Sequence, residues 1–180
     1  MNRRTFFLSG LGAMIATEAS AGHLYRGTAG YVPGWTSRYF QPYELASGGD
    51  GRVQVTVALV ASLDRTRHGF GAPIRILSGY RDPRWNARIG GARRSRHLVS
   101  DAVDIDLTPF DHRGRYALMT HLLSNGFTSF GTYGTKPNLL HADMRPRAAL
   151  WRRGGGRHPE WLRRALAEWK WRPVSGSPYR

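Results

Sequence analysis

The sequence predicts an α+β fold, a small antiparallel or mixed sheet flanked by helices. Three observations predict it. Segments with helical and strand periodicity follow one another without the regular βαβ rhythm of a parallel sheet. No internal repeat or low-complexity linker divides the chain, so one domain is the economical reading. At 180 residues and 41% hydrophobic content, the chain can bury one core but not comfortably two.

Taken in order, the elements begin after the turn signal Gly48-Gly49-Asp50-Gly51. Val53, Val57, Leu59, Val60 and Leu63 follow helical spacing up to Gly69, although the Val53/Val55/Val57 alternation suits a strand equally well. Ile74 to Leu77 reads as a short buried strand that opens into Ser78-Gly79-Tyr80-Arg81, and Pro83 starts a short helix through Ile89. Ala102 to Leu107 is a second strand, stopped by Pro109. Tyr116 to Leu123 is a helix ended by Asn125-Gly126. Phe127 to Tyr133 and Leu139 to Met144 are strands around a turn with Gly134 and Pro137. A last amphipathic helix runs from Glu160 to Trp171, with Trp161, Ala165 and Trp169 at four-residue steps. Its aromatic face fits packing as a terminal helix better than binding of glycan or membrane.

The first residues read as an address. Arg3-Arg4 is followed by a short apolar run through Ala16 and by the small residues Ala19-Ser20-Ala21. A charged start, an apolar middle of about a dozen residues and an A-x-A end make a secretory signal over residues 1–21, too short for the ~20 residues of a spanning helix. Paired arginines with Phe6 close behind resemble a twin-arginine signal. The chain is therefore expected to be exported, to a periplasmic or cell-wall location, with residues 22–180 as the mature domain.

Composition narrows the chemistry. There is no cysteine, which excludes disulfides, thiol catalysis and cysteine-ligated metals. Any metal site must draw on His, Asp and Glu, and there are only seven His. The formal charge of +15 favours polyanionic surroundings, whether nucleic acid, anionic membrane or acidic wall polymer. Removing residues 1–21 takes away Arg3, Arg4 and Glu18, so the excess belongs to the mature chain. No nucleic-acid motif accompanies the charge, and none is expected to bind. Peripheral contact with the cell envelope fits it better.

Two stretches carry the chemistry: Ser95-Arg96-His97-Leu98-Val99-Ser100-Asp101-Ala102-Val103-Asp104 and Leu140-His141-Ala142-Asp143-Met144-Arg145. A catalytic zinc takes three protein ligands and keeps one open position, and two imidazoles with one carboxylate suit it. His97, Asp104 and His141 are the candidate metal ligands. Ser95-x-His97-x-x-Ser100-x-Ala102-x-Asp104 resembles the S-x-H-x-x-G-x-A-x-D signature of the zinc D-alanyl-D-alanine carboxypeptidase family. Its relatives include D-Ala-D-Ala dipeptidases, phage peptidoglycan endopeptidases and the hedgehog signalling domain. Ser78-Gly79-Tyr80-Arg81, Asn86 and Gly90-Gly91-Ala92 resemble the run preceding that signature, and His141-Ala142-Asp143 resembles the strand giving the third ligand. Phe40 through Leu45 and the region of Leu63 look like the family's opening helices. The resemblance spans Tyr39 to Trp151 and implies a hedgehog/DD-peptidase-like fold with one zinc ion.

It further implies a metallopeptidase acting on peptidoglycan stems or cross-links, as a D,D- or L,D-endopeptidase or carboxypeptidase. Arg81 is expected in the cleft, binding a substrate carboxylate or stabilising the oxyanion, with Tyr80 and Ser95 as further substrate contacts. The chain departs from the family in three places. Ser100 replaces Gly, Asn138 stands where dipeptidase relatives carry a Glu base, and Leu139 replaces a second His of some relatives. Asp143, two residues from His141 on one strand face, is the candidate base or else orients a ligand. Asp106 shares a face with Asp104. The missing Glu leaves room for an alternative, a non-catalytic wall-binding or accessory module that keeps the metal site. His23, His68, His112, His121 and His158 lack ligand-like neighbours and are expected at the surface or on helices.

Overall fold

A computed structural model describes residues 24–173, and the expected signal lies outside them. Strands β1 (Leu24–Thr28) and β2 (Arg52–Thr56) pair antiparallel as a two-stranded sheet. A five-stranded sheet has the order β3-β4-β6-β5-β7, from β3 (Ile76–Ser78), β4 (Ala102–Asp106), β5 (Ser129–Tyr133), β6 (Leu139–Asp143) and β7 (Leu150–Arg153). All its pairings are antiparallel except β5 with β7. Helices α1 (Val57–Phe70), α2 (Pro83–Arg88), α3 (His112–Ser124) and α4 (Glu160–Glu168) flank the sheets. The fold is α+β.

Side-chain caps explain where the helices begin. Thr56 Oγ1 accepts from Leu59 N at 3.1 Å, so α1 starts at Val57 and the Val53/Val55 alternation belongs to β2, with both valines buried. The ambiguous stretch is thus a strand running directly into a helix. Asp82 caps α2 through the N–H groups of Arg84 and Trp85, each 3.0 Å away, with Pro83 in the first turn. Asp111 caps α3 by accepting from Gly114 N at 2.8 Å, which starts that helix at His112, earlier than the expected Tyr116. At the other end, α4 stops at Glu168. Trp171 lies beyond it and donates from Nε1 to Thr128 O at 3.0 Å.

Two strands escaped the sequence. The first, β1, lies at the margin of the expected domain, and β7 has no apolar alternation because its residues are half-buried or exposed. The segment expected as an opening helix forms only a 3₁₀ turn, Pro42–Leu45.

Alternation in the large sheet separates its two faces. Val103 and Ile105 of β4, Leu140 and Ala142 of β6, and Phe130 of β5 enter the hydrophobic core with Leu118, Met119 and Leu122 of α3 and Leu59 and Leu63 of α1. The α4 residues Trp161, Leu162, Ala165 and Leu166 join the same core. The intervening residues Asp104, His141 and Gly131 therefore occupy the opposite face. Every residue of β4 is buried, so this strand is held on both sides.

Ile105 sits on the apolar face beside Asp104 and is fully buried. Ile105→Ala is expected to cost about 2–5 kcal/mol and Ile105→Val about 0.5–1.5 kcal/mol, read by urea unfolding.

Candidate metal centre

One row of residues crosses the polar face of the sheet. Ser78 of β3 is opposite Asp104 of β4, Asp104 opposite His141 of β6, His141 opposite Gly131 of β5, and Gly131 opposite Trp151 of β7. His97 joins this row from a 3₁₀ turn, Arg96–Val99, that precedes β4. The chain reverses into β4 through Ser100, whose φ of 74° lies in the left-handed region. A side chain in that conformation costs about 1–2 kcal/mol. Gln54 Nε2 donates to Ser100 Oγ at 3.2 Å and Thr56 N to Ser100 O at 2.9 Å, and these bonds hold the turn.

Hydrogen bonds fix both imidazoles. His97 Nδ1 lies 2.6 Å from Gly79 O. A carbonyl only accepts, so Nδ1 carries the proton and Nε2 presents a lone pair. His141 Nε2 lies 3.0 Å from Asp143 Oδ2, so Nε2 carries its proton and Nδ1 faces the cluster. The free atoms converge: His97 Nε2 is 3.1 Å from His141 Nδ1, and Asp104 Oδ1 is 3.3 Å and 3.0 Å from the two. Three acceptors meet with no donor among the neutral tautomers. Only a cation satisfies them. A proton bridges one pair of these atoms, whereas a divalent ion engages all three at once. The two nitrogens and one oxygen suit zinc chemically, and the three ligand atoms lie within 4.8 Å of one another.

The electrostatics agree. Burial works to raise the Asp104 carboxyl, but the facing imidazoles of His141 and His97 hold it far below the usual carboxylate range. Burial lowers His97. It also works against protonated His141, yet Asp104 and Asp143 together push that group up.

The remaining expected residues fall into different places. Arg81 lines the cavity of about 510 Å³ that contains His97 and His141. It is not free: its guanidinium pairs with Asp104 Oδ2, and Nε donates to Ser78 Oγ at 2.8 Å. Ser95 also lines this cavity. Tyr80 does not. It is buried in the hydrophobic core, where its ring meets apolar neighbours rather than a substrate. Asp143, expected as the base, is fully buried behind His141. Its Oδ1 accepts from Arg145 N at 3.1 Å and Arg145 Nε at 2.7 Å, while Oδ2 accepts from His141 and Arg145. Burial opposes its ionisation, but His141 and Arg145 bring it down to about 2. A carboxylate so enclosed orients His141 and has no free lone pair turned to the cavity. Asp106 lies one step along β4, held by Thr108 N at 2.9 Å and facing Arg75 at 3.5 Å.

Sequence reasoning missed several neighbours. Arg145 was visible two residues beyond Asp143, at strand spacing. Trp151 was legible only as an aromatic after the family signature. Its ring lies over Gly131 and 5.3 Å from the His141 ring, where any Cβ on residue 131 would overlap it. His158, expected at the surface, lines the metal cavity and contacts Thr132 Oγ1 at 2.9 Å. Arg96, beside His97, pairs with Asp101.

Residues 39–143 match the family model described as peptidase M15. No curated protein matches the chain.

Two substitutions test the supports behind the ligands. Asp143→Asn removes the charge that holds His141 and is expected to weaken divalent-metal affinity by about 10–100-fold in calorimetric titration. Gly79→Ala places a methyl 2.6–2.9 Å from Leu45 backbone and shifts the carbonyl that fixes His97. Its metal affinity should fall as well, while the control Gly30→Ala, where the added methyl meets nothing, should leave it unchanged.

Proposed function

The chain belongs to the peptidase M15 family, and from that premise we propose that it is a zinc-dependent peptidase that hydrolyses peptide bonds in peptidoglycan stems or cross-links. The observation that carries this reading is the meeting of His97 Nε2, Asp104 Oδ1 and His141 Nδ1, three acceptors that need a cation. Bound there, zinc would supply a Lewis acid for the peptide carbonyl and lower the pKa of water.

The chain's own residues set the conditions for that chemistry. Gly79 O and Asp143 fix the tautomers. Arg81 holds Asp104 by its second oxygen, leaving Oδ1 for the cluster, and presents its remaining N–H groups to the cleft. Ser95 borders the same cavity and is available to a substrate amide or carboxylate. A cleft bordered by several arginines suits stem peptides, which carry free carboxylates. The basic surface suits the anionic cell envelope, and residues 1–21 support export, by the twin-arginine route, to the periplasm or wall.

One observation favours a second reading. Among the described residues lining the two cavities at the metal row, the carboxylates are Asp104 and Asp106, and both are engaged. A non-catalytic wall-binding module that retains the metal would need no base.

Mass spectrometry of defined muropeptides separates the two. The zinc-loaded full chain should release stem fragments, and a chelator should stop it. His97→Ala should lower the rate by more than the roughly 10–100-fold typical of losing an outer-shell partner. Stoichiometric zinc with no fragment released, and wall pelleting that survives chelation, would instead establish the binding module.

A further inference from the structure

A phenol with no protein partner lines the cleft. Tyr133 ends β5 on the same face as Gly131, two residues away, and Gly131 is opposite His141. Two residues along a strand span roughly 7 Å, which puts the ligand row within the length of a tyrosine side chain. Its ring meets the Trp151 ring edge-on, centroids 5.3 Å apart at 90°, and Trp151 in turn contacts His141.

Two cavities meet at this side chain. The one of about 510 Å³ holds His97 and His141, and a second of about 610 Å³ holds Asp104. Tyr133 and Arg81 line both. A peptide lying through the two cavities must pass them where it passes the metal ligands. The Tyr133 hydroxyl makes no hydrogen bond to another described residue, and the side chain is half-buried, so the hydroxyl is open to the cavities it lines. A donor with no protein partner, opening on a cleft, is free to bond a ligand that displaces water there. Burial pushes the phenol's ionisation up, and the nearby Asp104 charge adds to this, so it keeps its proton at any working pH.

Resting on the metallopeptidase reading, we propose that Tyr133 is a further catalytic residue, whose hydroxyl donates a hydrogen bond to the substrate's scissile carbonyl oxygen as that oxygen gains negative charge. The donor keeps its proton throughout and forms no covalent bond. With Arg81 lining the same two cavities, the oxygen meets a neutral donor and a cationic one. This assigns charge stabilisation to a residue on β5, outside both stretches that carry the family signature.

Tyr133→Phe tests it, since the ring and its contact with Trp151 remain. In the zinc-loaded full chain, kcat on a defined muropeptide should fall by about 100-fold while KM and zinc affinity stay within about 2-fold. A phosphinate dipeptide, whose tetrahedral phosphorus replaces the scissile carbonyl, gives a readout that needs no turnover. It should bind Tyr133→Phe about 10-fold or more weakly than the wild type. Equal phosphinate affinity in the two proteins, or no phosphinate binding by the wild type, overturns the proposal. If the wild type releases no product yet phosphinate affinity still falls with Tyr133→Phe, the peptidase reading fails and the hydroxyl's role as an oxygen donor stands.

Discussion

The structure is organised around a repulsion that the protein cannot relieve by itself. Two imidazole lone pairs and a carboxylate oxygen are brought within about hydrogen-bond distance, each held by a partner behind it. Buried like charges and lone pairs are costly in a medium of low polarisability, and the cost disappears when a cation enters. Gly79 O and Asp143 are therefore as much a part of the centre as the ligands, because rotating either imidazole would release the strain without metal. Preorganisation of this kind places the expense in the folding of the chain and leaves the ion to recover it.

The sheet makes that placement possible. Strand alternation sends Val103, Ile105, Leu140, Ala142 and Phe130 into the helical core and leaves the opposite face to Asp104, His141, Gly131 and Trp151. A one-residue slip of β6 against β4 would exchange Leu140 for His141 and destroy core and centre together. Register and function are thus specified by the same apolar pattern. Only His97 comes from outside the sheet, and it arrives on a turn closed by a left-handed serine.

Much of this was legible in the residues. The alternation around Asp104 and His141 marked two strands with polar residues on one face, and the cap and turn residues marked most helices. What stayed hidden depended on pairing between distant segments. Asp143 looked like a base because strand spacing put it beside His141; spacing could not reveal that Arg145 would close over it. Tyr80 carries a motif position yet points into the core. Tyr133 had no motif at all, since its significance arises when β5 falls next to β6 and β7. β7 itself lacked any period because it is an edge strand with half-exposed faces. Asp111, by contrast, was available as a cap signal and would have started α3 at the right residue.

The charge of the chain has to be read through the same pairings. A formal +15 suggests a cleft crowded with free cations, but Arg81, Arg96 and Arg145 are each bound to a carboxylate in or beside the centre. These three pairs neutralise the very acids that would otherwise repel a substrate carboxylate. β7 adds positive charge at the cavity, since Arg152 bonds to Thr132 Oγ1 and Gly155 O and Arg153 has no carboxylate partner among the described residues. Trp151 stands between that strand and His141 as an apolar wall. An acidic peptide would thus be drawn by the edge strand, while its backbone is handled by the neutral and paired groups at the centre. On the proposed function, attraction and chemistry would fall to different strands, and the ligand row would stay electrically balanced for an ion.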